Sequence, residues 1–178
     1  FSELDADGNL IVRGFPAPVV APDGSPANPG AGFVFGIATI PMDVRKVVVT
    51  NTITHDNVSD LLGNLSHNNA FAVLNNHSSG NGDFTQVRTY DDSEEDPLSA
   101  LGRSDGPGSL RDFVGEEAAG LWLLTMIDDA PGQTGRVDNL TIKIEPNTLD
   151  EGIQDLLIPA NGWGYATIEV PVEATNLV

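Results

Sequence analysis

Apolar and polar residues alternate along much of this chain in short runs, a pattern typical of β-strands with one buried face. The clearest run is 44–54, where Val47, Val49 and Ile53 fall on one face and threonines occupy the other. Clusters of Gly, Pro, Asn and Asp separate the runs. The pattern predicts about nine strands, at residues 10–12, 33–40, 44–54, 61–65, 70–74, 83–89, 121–127, 137–144 and 165–172.

No segment keeps the 3.6-residue period of a helix, and only residues 115–120 and 148–157 are predicted as short helices. Residues 121–127 are apolar almost throughout, which predicts a central strand buried on both faces, with Trp122 in the core. Many short strands joined by turn residues indicate an all-β protein. We therefore expect an antiparallel β-sandwich or jelly roll with extra strands at the termini.

The charge of the chain excludes several classes of partner. It has 178 residues, with 26 Asp and Glu against 8 Lys and Arg, and a net charge of −18. Nucleic acids and anionic membranes are bound through clustered Lys and Arg, so neither is expected as a partner. The absence of cysteine excludes disulfides and thiolate zinc sites. No run reaches the roughly 18–20 apolar residues of a membrane span, so membrane insertion is not expected.

Six motifs between residues 44 and 145 follow one another in a recognisable order. They are HDNVSDL at 55–61, LNNHSSGNGD at 74–83, DDS at 91–93, LRDFVG at 110–115, GLWLLTMID at 120–128 and GRVDNL at 135–140. As a set they resemble the P-domain, also called the Homo B domain, of subtilisin-like proprotein convertases, in a divergent bacterial or archaeal form. Asn139 stands where that family usually has a second Trp.

The resemblance implies a domain organisation and a setting. Residues 30–146 would form a P-domain-like β jelly roll, residues 1–29 an N-terminal extension or connector, and residues 147–178 a C-terminal extension with a strand. That last strand would pair with another subunit or begin a second β module. The family is secreted, often binds calcium, and is usually appended to a protease or another surface protein. No catalysis is implied for the module itself.

Aspartates in loops are the leading candidates for chemistry. Ca²⁺ takes about 6–8 oxygen ligands, and Asp supplies them from a short side chain. Seventeen of the acids are Asp and nine are Glu. The residues at or beside the motif positions, which strand ends would bring to one rim, are Asp60, Asp83, Asp91, Asp92 and Asp128. We expect a calcium site among them, and the alternative is that they form turns and caps.

Asp5 and Asp7 belong to a separate Asp-Ala-Asp-Gly-Asn segment that resembles the front half of a calcium loop. Position six of that loop would be Leu10 and position twelve Pro16, where an EF-hand has Gly and Glu. An Asp-Gly turn that opens a hairpin is the stronger interpretation of the segment.

Enzymatic motifs are not found in the sequence. His55, His67 and His77 lie in different loops without metal-ligand spacing, and no G-x-S-x-G occurs. The acidic pairs are adjacent in sequence, and neighbours on a strand point to opposite faces, which does not make a catalytic pair. We expect a non-enzymatic protein.

The C-terminal strand is the predicted contact with a partner. Tyr165, Ile168, Val170 and Val172, together with Trp163, are expected to bind a neighbour, because an alternating apolar strand must pair with a sheet edge. The leading function is therefore a secreted, calcium-binding structural or adhesive protein that self-assembles by strand exchange into an extracellular filament or surface layer. The alternatives are an accessory module of a subtilisin-like serine protease and a carbohydrate-binding module that uses Trp163 and Tyr165.

Overall fold

The computed structural model describes residues 2–78, 85–95 and 101–147, and the chain divides into two units, Phe1–Asn147 and Thr148–Val178. The described residues belong to the first unit and form an all-β sandwich of two antiparallel sheets, as the alternation predicts. Its strands are β1 (Ser2–Leu4), β2 (Leu10–Arg13), β3 (Val19–Ala21), β4 (Gly30–Ala38), β5 (Val44–Thr54), β6 (Leu61–His67), β7 (Ala70–Asn76), β8 (Thr85–Asp91), β9 (Gly120–Asp128) and β10 (Gly135–Pro146).

The larger sheet has six strands built around β10. One side of β10 pairs with β5, which continues to β8 at one edge of the sheet. The other side pairs with β2 and β3, and β1 lies beyond β2 at the opposite edge. The smaller sheet has the order β4-β9-β6-β7.

The core lies between the inner faces of the two sheets. On β5 and β10 the inward residues alternate as predicted, so that Val47, Val49 and Ile53 are buried and the intervening threonines are partly exposed. The largest fully buried side chains are Trp122, Phe113, Leu10, Ile53, Leu61, Leu65, Leu74, Leu110, Leu124, Met126, Leu140 and Ile142. The indole of Trp122 stacks on the His67 ring at 4.0 Å and donates a hydrogen bond to the Ala118 carbonyl, which confirms its predicted place in the core.

Segment 1–29, predicted as an extension or connector, contributes β1, β2 and β3 to the larger sheet. Leu10, Val12 and Ala21 from this segment are fully buried. The segment therefore helps to close the core of the sandwich.

Two predictions were wrong. Residues 115–120 are not helical, and the short 3-10 helix in this region is Leu110–Phe113 instead. β9 is buried on one face only: Trp122, Leu124 and Met126 point inward, while Leu121 is 51% exposed. In a two-layer sandwich no second layer covers the outer face, so a continuous apolar strand does not imply burial on both sides.

Within the described residues, no helix is long and apolar enough to cross a membrane.

Candidate functional site

Strand ends from both sheets meet at one rim, as predicted for a calcium site. Leu61 at the start of β6 pairs with Asp128 at the end of β9. His55, just after β5, reaches Asp128 with a distance of 3.2 Å between Nε2 and Oδ2. The Asp129 amide approaches the Asp60 carbonyl at 3.5 Å. The fold therefore brings two of the predicted ligands, Asp60 and Asp128, to the same end of the sandwich.

The side chains of His55 and Asp128 are completely buried. The Asn57 amide donates to Nδ1 of His55 at 2.9 Å, so the ring proton is on Nε2, which donates to Asp128. The Ala130 amide donates to the other Asp128 oxygen at 3.2 Å. Burial raises the pKa of Asp128 above its ordinary value, and the hydrogen bond from His55 opposes that rise only in part.

The His55–Asp128 pair links the two sheets and has little capacity for catalysis. A general base needs a nitrogen within hydrogen-bond reach of the substrate. Both nitrogens of His55 are already bonded, and the ring is inaccessible to solvent. The geometry supports a structural pair that ties the end of β5 to the end of β9.

Asp60 is also engaged by a protein donor. The Asn57 side-chain amide donates to Asp60 Oδ1 at 2.7 Å, and Ser59 in turn donates to the Asn57 oxygen at 2.7 Å. This small network closes the 3-10 helix Val58–Asp60 between β5 and β6.

Asp92 holds the chain segment that follows β8. Its carboxylate accepts hydrogen bonds from the Ser104 amide and hydroxyl, the Ser109 hydroxyl and the Leu110 amide, at 2.6–2.9 Å. Burial favours the protonated carboxyl, but these hydrogen bonds outweigh it and the pKa of Asp92 lies below its ordinary value.

Asp91 is occupied in a similar way. Its carboxylate lies 3.0 Å from the Lys46 ammonium and accepts the Ser93 amide at 2.8 Å. Burial again opposes ionisation, yet the hydrogen bonds from Ser93 and Lys46 lower the pKa of Asp91. Asp91 and Asp92 thus serve as anchors for a loop, which is the alternative that the sequence left open for them.

Asp5 forms the turn of the β1–β2 hairpin. Its carboxylate accepts the Asp7 and Asn9 amides at 2.9 Å each, and Gly8 takes the left-handed conformation with φ of +84°. The hydrogen bond from the Asn9 side chain is the main cause that lowers the pKa of Asp5. The Asp-Gly hairpin turn is therefore the correct interpretation of this segment.

These contacts decide how well the donor set fits calcium. Within residues 2–78, 85–95 and 101–147, no three His, Asp or Glu side chains come together as a group able to hold a metal ion. The oxygens of Asp5, Asp91, Asp92 and Asp128 are taken up by protein donors, so those residues do not fit as ligands. Asp83 lies outside the described residues, as do Trp163, Tyr165, Ile168, Val170 and Val172. Calcium stays a prediction.

A surface pocket of about 310 Å³ lies between the start of β5 and the Leu110–Phe113 turn. Its cations are paired with acids: Arg45 with Glu95 and Glu145, and Lys46 with Asp91 and Glu95. An anionic ligand would have to compete with these carboxylates, so the pocket is poorly suited to one.

The outer face of the smaller sheet is the feature that the sequence did not predict. Large apolar side chains are exposed there, including Leu121 at 51%, Phe33 at 45%, Phe71 at 44% and Ile37 at 42%. Strand register sets the positions of this face, which we call the apolar face: Ala31, Phe33, Phe35 and Ile37 on β4, Leu121, Leu123, Thr125 and Ile127 on β9, Leu62, Asn64 and Ser66 on β6, and Phe71, Val73 and Asn76 on β7. Each of these residues is uncharged.

The signal for this face is present in β4. Its sequence GAGFVFGIA alternates small residues with large apolar ones. Gly32, Gly36 and Ala38 point into the core together with Val34, whereas Phe33, Phe35 and Ile37 point outward. An added Cβ at Gly36 would come within 2.8 Å of Val12 Cγ1, and one at Gly32 within 2.6 Å of the Val20 carbonyl oxygen. The inner space at the two glycines therefore has no room for a large side chain.

Fold and site together define an all-β sandwich with an apolar outer face and a buried His–Asp link. No family model and no curated protein matches the chain. Among solved structures, the Aeromonas sobria serine protease in complex with its chaperone is similar, with 18% identity and a TM-score of 0.41. That likeness covers 75% of this chain, and this chain spans about a quarter (26%) of the length of that one. So remote a likeness carries no functional argument.

Proposed function

We propose that this chain is a non-enzymatic, secreted β-sandwich with a structural or adhesive role, and that it self-associates. The observation that carries the proposal is the apolar face. Soluble monomers rarely expose a large contiguous apolar patch unless it binds something. In a chain of net charge −18, an uncharged sheet face with four side chains exposed by 42–51% is a surface suited to protein contact.

Strand exchange remains part of the proposal through the C-terminal segment. Residues 165–172 are predicted from sequence as an alternating strand, and edge strands can accept such a segment from a neighbour. In the described part of the chain, β8 is an edge strand of the larger sheet. On the side away from β5, its backbone forms hydrogen bonds with Gly102 at Thr89 and Asp91. Val87, two residues earlier, is 70% exposed.

Calcium enters the proposal as a stabilising ion. Protein donors occupy Asp5, Asp91, Asp92 and both oxygens of the buried Asp128, so the remaining predicted ligands are Asp7, Asp60 and Asp83. An ion that binds only the folded state raises its stability by mass action, about 2.7 kcal/mol at 100 times its Kd. We expect millimolar Ca²⁺ to raise the melting temperature of EDTA-treated protein, and Asp60→Asn to reduce this rise while Asp5→Asn leaves it intact.

The oligomeric state of the full chain tests self-association. Sedimentation velocity and light scattering, with EDTA and with millimolar Ca²⁺, should show species larger than a monomer as the concentration rises. A chain that stays monomeric up to about 0.5 mM in both buffers, well above the micromolar range of weak specific contacts, would refute the proposal.

The accessory-module and carbohydrate-binding alternatives stay predictions from sequence. An upstream catalytic domain in the parent gene would favour the first. For the second, loss of glycan binding on Trp163→Ala is the expected sign, and silence on a glycan array would count against it.

A further inference from the structure

We infer that the apolar face is a homodimer interface, in which the outer faces of the smaller sheets of two copies pack against each other. This inference rests on the proposed self-association and names its surface and its partner, a second copy of this chain. Sheets pack face to face when apolar side chains of both cover each other, as they do inside this sandwich. A two-fold axis through the face would give both copies the same contacts.

Strand β4 cannot be turned over to bury Phe33, Phe35 and Ile37. Turning the strand over would place Phe33, Phe35 and Ile37 where Gly32 and Gly36 now meet Val20 and Val12. The core has no room for them. Packing on the inner side of β4 thus fixes the outward position of these residues. In a single copy, Phe33 and Ile37 are exposed and Phe35 is partly exposed.

The positive charges of the chain also favour a second copy as the partner. All eight Lys and Arg lie away from the smaller sheet: Arg13, Arg45, Lys46, Arg88, Arg136 and Lys143 on strands of the larger sheet, and Arg103 and Arg111 in the loop after β8. A partner with an acidic contact surface would find no cation on the apolar face. If two copies meet through their apolar faces, no charged side chain of either face is buried in the contact.

Acidic residues flank the apolar face at both ends. Glu116 and Glu117 precede β9, and Asp129 follows it. Two copies, each with a net charge of −18, repel one another over a distance set by the Debye length, about 8 Å at 0.15 M salt. Added salt should therefore strengthen a homodimer, whereas it would weaken a complex with a basic partner.

The size of the face sets the strength of the contact. Four rows of residues along four strands span about 20 Å by 14 Å between Cα positions. With side-chain margins this is roughly 300–450 Å² per copy, so a pair would bury about 600–900 Å², less than the 1,200–2,000 Å² of stable complexes. We expect a weak dimer that forms as the concentration rises.

The experiment is sedimentation velocity of the full chain over about 5–500 µM in 0.05, 0.15 and 0.5 M NaCl. The expected result is a monomer–dimer equilibrium whose Kd falls as salt rises. Leu121→Glu should raise that Kd at least about tenfold, since a two-fold contact contains the substitution twice. Phe33→Ser should weaken the dimer without adding charge, which shows that the loss comes from the apolar contact.

The matched control is Val114→Glu, an equally drastic substitution at an apolar residue that follows the Leu110–Phe113 turn and is 52% exposed, against 51% for Leu121. It should leave the dimer unchanged, and all variants should keep a cooperative thermal transition. Oligomers that survive Leu121→Glu but disappear with Val170→Pro would overturn the face-to-face dimer and leave self-association standing through strand exchange. A monomer under every condition would overturn both. Association that weakens with salt would mean that opposite charges make the contact, and would overturn the apolar face as the interface.

Discussion

The outer faces of the two sheets differ far more than their inner faces do. On the larger sheet, Thr50 and Thr89 share a hydrogen bond at 3.0 Å, Thr54 and Thr85 one at 2.9 Å, and ion pairs such as Lys46 with Asp91 border the threonines. On the smaller sheet most of the corresponding positions are apolar, mainly Phe, Leu and Ile, the rest are Thr, Ser and Asn, and none is charged. Both inner faces are apolar and pack one core.

The comparison separates what folding requires from what it leaves open. Each sheet needs one apolar face to build the core, and the outer face of the larger sheet shows that polar residues serve well on the other side. The apolar outer face of the smaller sheet is therefore not required by the fold of one copy. We connect it to contact with a second copy for that reason.

The largest expected effect contrasts the inner and outer sides of β4. Gly36→Val would drive its side chain into Val12 and Trp122, at 2.8 Å and 3.5 Å from the added Cβ, and should destabilise the fold by about 3 kcal/mol or more. Ile37→Thr, one residue away on the outer side, should change the stability by less than about 1 kcal/mol. Chemical denaturation measures both, and comparable losses for the two variants would mean that the outer face also supports the fold.

A smaller effect is expected at Asp92, which anchors the loop after β8 on the larger sheet. Asp92→Ala removes the acceptor of the Ser104 and Leu110 amides and should cost about 2–4 kcal/mol of unfolding free energy. Asp112→Ala is the control on the same loop, since exposed Asp112 only caps the Leu110–Phe113 turn, which is worth about 1 kcal/mol. Equal effects of the two substitutions would show that Asp92 is not the main anchor.

The smallest effect compares aspartates at the ends of β8 and β9. Hydrogen bonds from Ser93 and the Lys46 ammonium overcome burial and lower the pKa of Asp91, whereas burial raises the pKa of Asp128 and the hydrogen bond from His55 opposes it only in part. A lowered pKa contributes stability that is lost as the pH falls through it. A raised pKa has the opposite sign: the folded state loses stability as the pH rises from the ordinary value, about 4, through the higher folded value.

The difference in stability between Asp128→Asn and the wild type should be constant below about pH 4, where Asp128 is protonated, and the variant should gain on the wild type as the pH rises toward 7. An asparagine has one oxygen, so it can accept from only one of the two donors, His55 Nε2 and the Ala130 amide, which bond different oxygens of Asp128. That loss lowers the stability of the variant by the same amount at every pH. Urea unfolding at several pH values measures the difference. A variant that loses stability relative to the wild type with rising pH would show that His55 stabilises the ionised carboxylate more than burial disfavours it.

Much of the strand content could be predicted because it depends on local alternation. The run 44–54 coincides with β5, and the inward set Leu140, Ile142 and Ile144 is confirmed on β10. The candidate site was predicted less well. Asp60 and Asp128 do reach one rim, but their chemistry, and that of Asp92, depends on donors such as Ser104 and Leu110 that are distant in sequence.

The sequence alone determined that this protein is all-β, and it located most of the described strands. It also showed that the chain lacks the clustered cations that bind nucleic acids or anionic membranes. Tertiary structure decided which face is inside where both faces of a strand are apolar, as in β4 and β9. For β4 the deciding atoms are the Val12 methyl and the Val20 carbonyl, from strands that come before it in the chain. Alternation has two possible phases, and only the space that other strands leave determines which phase is buried. That choice exposes Phe33, Ile37 and Leu121 on the apolar face.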